Sequence, residues 1–162
     1  LANKPSMMNS KGNLARVGQQ HGNVEMAKTN QSLSPEDDEA LNQLIKNYIE
    51  LKNSLVNDNF TASKKNYQNL MSNFSGYSDT AFKSSKDFKN INDLRDSFIK
   101  ISEQIIALIN NSNPTKNKLY VQECPMANQS QGASWLSFSK EIRNPYYGAS
   151  MLKCGSVIDS IP

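Results

Sequence analysis

Histidine is almost absent from this chain of 162 residues. The single one, His21, lies within residues 1–33, where Gly12, Gly18 and Gly22 punctuate a polar run without sustained periodicity. That stretch reads as a flexible arm. Without a second histidine, the rest of the chain has no Ser/His/Asp or Cys/His catalytic set and no histidine-based zinc site. Charge of one sign is also scarce. The formal net charge is +3, with acids and bases interspersed, which is too mild to argue for nucleic acid. No long apolar run occurs: Ile105–Ile109 is the longest, far short of the ~18 residues of a membrane span. No glycine-rich phosphate loop is present, and no motif sets a nucleophile beside a base, so the reading is of a protein that is not an enzyme. There are two cysteines, and their spacing is not that of a CxxC redox pair.

The chain does contain helical periodicity. A single domain is expected over residues 34–162, beginning where Ser34 caps, Pro35 takes the first helical position and Glu36 and Asp37 favour the positive helix end. Leu41, Leu44, Ile45, Tyr48, Leu51 and Leu55 then recur on one face, predicting a helix to about Val56. Asn57-Asp58-Asn59 breaks it, and Asp58 or Asn59 is placed to cap the next. Phe60, Tyr67, Leu70, Met71 and Phe74 share the face of that second helix, which Ser75-Gly76 ends. Phe82 and Phe88 suggest a further short helix. Asn90 or Asn92 opens the most regular stripe of all, Ile91, Leu94, Phe98, Ile101, Ile105 and Leu108, widened by Ile99, Ile106 and Ile109 and ended by Asn110–Pro114. The expected fold is mainly α. An up-and-down bundle of three to four helices is followed by an irregular loop closed by a short β-hairpin, with Leu119–Val121 and Ser156–Ile158 as its strands.

If those two strands pair antiparallel, Cys124 and Cys154 come together. Each has a methionine close by, in Cys124-Pro125-Met126 and Met151-Leu152-Lys153-Cys154. Four sulfur atoms would then converge, and soft thiolate and thioether ligands select Cu(I) or Ag(I). Zinc is the lesser candidate because thioether sulfur serves it poorly, although the carboxylate of Glu123 would suit a harder ion. The competing reading is a Cys124–Cys154 disulfide with two core methionines, stabilising by roughly 3–4 kcal/mol in the chain-entropy model. Trp135, the single tryptophan, reads as a packing anchor for the loop, or as a ring shielding the metal. Arg143 is placed to brace the loop against Glu141 or Glu123. Gly132, Gly148 and Gly155 supply turn conformations.

Several segments resemble a known family. They are Tyr120–Ala127, Gly132–Ser137, Glu141–Gly148 and Met151–Gly155, with a looser likeness over Leu94–Phe98 and Ser102. Together they resemble a bacterial envelope domain of unknown function that occurs alone or fused to CusB-type adaptor subunits of heavy-metal efflux pumps. The resemblance covers about Pro35 to Ile161. It implies a periplasmic or outer-envelope location, with a lipid anchor on a removed N-terminal segment. It also implies a heavy-metal efflux assembly or copper chaperone as partner, and Cys124, Met126, Met151 and Cys154 as metal ligands. Many members have histidine directly before the first cysteine, where this chain has Glu123. The function expected is therefore envelope handling of Cu(I) or Ag(I), with a disulfide-stapled helical interaction module as the alternative.

Overall fold

The computed structural model describes residues 35–74, 86–112 and 117–162. The N-terminal arm, the Ser34 cap, the Ser75-Gly76 stop and Phe82 lie outside the described residues.

Helix α1 (Pro35–Val56) starts at the expected proline and carries Glu36, Asp37 and Asp38 in its first turn. Its stripe from Leu41 to Leu55 is buried throughout. Helix α2 (Phe60–Phe74) is capped by Asn59, whose Oδ1 accepts the Ala62 N–H at 3.0 Å. Asn66 Nδ2 donates to the Glu50 carbonyl and Ser63 meets Ser54, so α2 folds back antiparallel along α1. Helix α3 (Ile91–Ser112) is capped by Asn90, whose Oδ1 accepts the amides of Asn92 and Asp93. It also runs antiparallel to α1: Tyr48 meets Ser102 while Leu55 meets Arg95.

Helices α2 and α3 therefore point the same way, and the up-and-down order stops at the second helix. The link between them is long enough to return the chain to its starting end, as a tight turn could not. Phe88 near the end of that link is buried edge-on against Tyr67, outside any helix.

The C-terminal part is more ordered than a hairpin with an irregular excursion. Strand β1 (Leu119–Cys124) is followed by a one-turn element α4 (Ala127–Ser130), strand β2 (Ala133–Ser137), a short 3-10 helix (Gly148–Met151) and strand β3 (Ser156–Ile161). The sheet order is β2-β1-β3, with both neighbours antiparallel to β1. The pairing of β1 with β3 is as expected, with a bulge between Val121 and Gln122. Strand β2 was hidden because it is covered on both faces. Ala133, Trp135, Leu136 and Ser137 are all buried, so the polar–apolar alternation that marks a half-exposed strand is missing.

Tyr48 joins the layers. Its hydroxyl shares a 2.7 Å hydrogen bond with Ser102 of α3 and accepts the Leu136 N–H of β2 at 3.1 Å. Its ring stacks on Phe98. Burial pushes its ionisation well above the usual tyrosine range, so it remains a neutral phenol.

Candidate thiol site

Pairing across β1 sets which side chains share a face. Opposed residues point the same way, so Gln122, Trp135, Cys124 and Ala133 form one row, while Glu123 and Ser134 belong to the other. The row carrying Cys124 is roofed by residues 138–155. Gln122 holds the roof: its Nε2 donates to the carbonyls of Ser139 and Glu141, and its Oε1 accepts the indole N–H of Trp135 at 2.7 Å. Both side chains are fully buried. Trp135 is thus an anchor of the roof, with Tyr146 against it edge-on.

Asn144, also fully buried, folds the roof upon itself. Its N–H donates to the Leu152 carbonyl, its Nδ2 to the Cys154 carbonyl at 3.0 Å, and its Oδ1 accepts the Tyr146 N–H. That bond at the Cys154 carbonyl positions the second cysteine. The Cys154 N–H donates to the Met151 carbonyl, completing a tight turn. The outcome is a 2.9 Å approach between Cys124 Sγ and Cys154 Sγ, both free thiols. Cys124 is fully buried and Cys154 is half-buried. Sharing a hydrogen bond with Cys124, together with desolvation, raises the Cys154 pKa, and the Met126 backbone amide opposes this.

The other sulfur residues adjoin the pair through their backbones. Met126 presents its amide to Cys154, while its side chain is 50% exposed and its carbonyl accepts the Tyr147 hydroxyl. Met151 is half-buried and shares the turn of Cys154. Glu123 is not brought to the thiols. Its carboxylate faces the other way, 3.4 Å from Ser134 Oγ, because neighbours on a strand alternate faces. Arg143 is exposed and forms no ion pair with Glu123 or Glu141, although after Lys153 its charge also acts on the Glu141 carboxylate. Lys153 takes Glu141 instead, at 2.6 Å. Among the described residues there is no cluster of three or more His, Cys, Asp and Glu side chains.

Two features of the site were not foreseen. Asn128, Gln129 and Ser130 follow Cys-Pro-Met-Ala with φ of 53°, 55° and 65°. A left-handed turn of three non-glycine residues costs on the order of 1–2 kcal/mol each, and no signal in Asn-Gln-Ser announces a run of that kind. This turn forms one wall of a cleft of about 670 Å³, whose opposite wall is α3 with Asp96, Lys100 and Glu103. The second feature is Arg95, buried on α3. Its Nε donates to the Pro145 carbonyl, and one Nη donates to both the Leu55 carbonyl and Asp58 Oδ1. Asp58 Oδ2 accepts the Ala149 N–H. This latch fixes the roof to the ends of α1 and α3. An arginine inside the apolar stripe of α3 was the available signal for it.

Residues 44–117 match the family model described as protein of unknown function (DUF3347). The match spans most of α1, all of α2 and α3, and stops just before β1, so it leaves out the thiol site. No curated protein and no solved structure matches the chain. Among the described residues no helix is long and apolar enough to cross a membrane.

Proposed function

We propose that this chain is a soft-metal domain of the bacterial cell envelope that binds Cu(I) or Ag(I) in copper handling or efflux. The observation that carries the reading is the convergence of Cys124 and Cys154, thirty positions apart in sequence, at 2.9 Å within one buried framework. Two thiols held together by neighbouring strands are a ready ligand pair for a soft cation. Cys124 and Cys154 would hold the ion as thiolates, with Met126 and Met151 as neutral thioether donors from the adjoining turns. At a metal–sulfur distance of about 2.3 Å, two thiolates on one ion stand nearly 4 Å apart. Cys154 would therefore move outward by about 1 Å, which its half-buried turn position permits. The bound ion would be stored or handed over, with no bond made or broken in a substrate. A heavy-metal efflux assembly or a copper chaperone would be the partner, and the looser resemblance to domains fused to CusB-type adaptors supports that context.

The same 2.9 Å approach favours a second reading, a disulfide-stapled interaction module, because a small inward movement would bring the sulfurs to bonding distance. Competition titration against a Cu(I) chelator, under anaerobic reduction, tests the first reading. One ion per chain is expected, with binding nearly abolished by Cys154→Ser and partly weakened by Met126→Leu or Met151→Leu. Equal Cu(I) affinity in wild type and the Cys124→Ser, Cys154→Ser double variant would end the metal reading. A thiol count of zero on protein purified without reductant would then establish the staple.

A further inference from the structure

Helix α2 holds two lysines and no acidic residue. Lys64 and Lys65 share an exposed face of it with Thr61 and Gln68, at helical spacing. That face forms one side of a concavity of about 330 Å³. The other side is the segment entering α3, which brings Lys86 and Asp87. Buried Tyr67 and Phe88, set edge-on to each other, close the floor. Two of the three ammonium groups are held in place. Lys86 Nζ donates to Ser97 Oγ at 2.7 Å and stands 5.3 Å from the centre of the Phe88 ring. Lys64 Nζ stands 4.8 Å from the centre of the Phe60 ring, an attraction that restrains a long side chain. None of the three lysines is in an ion pair: those of the described residues are Arg95–Asp58 and Lys153–Glu141. Asp87 is the one acid lining the concavity, against three cations. A cleft lined by an excess of one sign focuses the field and draws in counter-ions.

We propose that this concavity binds a phosphate group, either as free phosphate or as the headgroup of an anionic lipid. A phosphate group carries more than one negative charge and several acceptor oxygens, which suits three ammonium groups better than a lone carboxylate would. Each ammonium has three donors, and Lys86 uses one on Ser97, so two remain for a ligand. The Thr61 hydroxyl and the Gln68 amide add neutral donors on the same side. A volume of about 330 Å³ is at the small end of ligand clefts, which fits a headgroup phosphate and leaves little room for a larger molecule. The site shares no residue with the thiol pair, so it stands whether or not Cys124 and Cys154 bind metal.

The test uses the whole chain and two probes at constant ionic strength. Inorganic phosphate is titrated into protein with isotope-labelled lysine, and the side-chain signals are read by NMR. Vesicles of phosphatidylcholine, with and without phosphatidylglycerol, are read by co-sedimentation. A saturable shift confined to Lys64, Lys65 and Lys86 identifies free phosphate as a ligand. Binding only to the phosphatidylglycerol vesicles identifies the lipid headgroup. In either case Lys64→Gln with Lys65→Gln, both at exposed positions, should weaken binding about tenfold or more. The control removes the same charge elsewhere: Lys118 and Lys140 both stand over the Tyr120 ring, at 5.8 and 5.7 Å, and neither lines the concavity. Lys118→Gln with Lys140→Gln should leave binding unchanged. No binding of either probe would overturn the proposal. So would an equal loss in the control, which would show general surface charge, or undiminished binding in the Lys64→Gln, Lys65→Gln variant.

Discussion

Gly148 tests the latch most directly. It has a φ of +55°, where a side chain is strained, and it sits against the Asp58–Arg95 pair. A Cβ built there would overlap the Asp58 carboxylate and come within 2.6 Å of the Arg95 guanidinium. Gly148→Ala therefore adds backbone strain of about 1 kcal/mol. It also forces apart an ion pair whose arginine side chain is 9% exposed. Asp58 is 42% exposed and Arg95 keeps the carbonyls of Pro145 and Leu55 as acceptors, so separating the screened pair costs about 1 kcal/mol. The sum is a loss of about 2 kcal/mol, measured as a lower urea midpoint at unchanged slope. Asp58→Gly removes the obstructing carboxylate and suits the φ of 54° at that position. In that background Gly148→Ala should cost only about 1 kcal/mol, a coupling that a double-mutant cycle reads directly. A loss below about 1 kcal/mol in the wild-type background, or the same loss in both, would refute the reasoning.

Tyr48→Phe keeps the stacked ring but strands the Leu136 N–H and weakens the tie to Ser102, so it should cost about 2 kcal/mol in the same denaturation assay. Lys52→Met should stabilise the protein by about 2 kcal/mol at pH 7. The folded pKa of Lys52 is lowered to about 8, so its cost is fully present below that pH. The gap between Lys52→Met and wild type should shrink as pH rises from about 8 toward the ordinary lysine value, and a gap independent of pH would contradict the assignment. The Ala149 N–H and then Arg95 hold the Asp58 carboxyl below its usual range. Its contribution is present above about pH 4 and lost as pH falls through the folded pKa, so Asp58→Asn should approach wild-type stability in acid melts. The difference will be small, because Asp58 is 42% exposed and solvent-screened.

The helices were readable in the sequence because each is half-buried. A face that must meet a core repeats every three to four residues, as from Leu41 to Leu55, and local groups such as Asn59 and Asn90 mark the ends. The meeting of β1 and β3, and with it that of the two cysteines, was readable because short β-branched runs flank both. Helix direction was not, since Tyr48–Ser102 and Leu55–Arg95 are pairings across the fold that no periodicity encodes. Strand β2 was invisible for the opposite reason to the helices: cover on both faces erases the alternation. The buried polar residues that hold the roof together, Gln122 and Asn144, resemble ordinary surface residues until the loop closes over them. What the chain alone determined was its helical faces, its caps and the chemistry of two thiols. What tertiary structure decided was which groups lost water and with whom: Glu123 turned away from the sulfurs, Lys153 took Glu141, and the body of Lys52 was buried to 5% exposure. Burial and partnership are properties of packing between distant segments, and local sequence does not specify them.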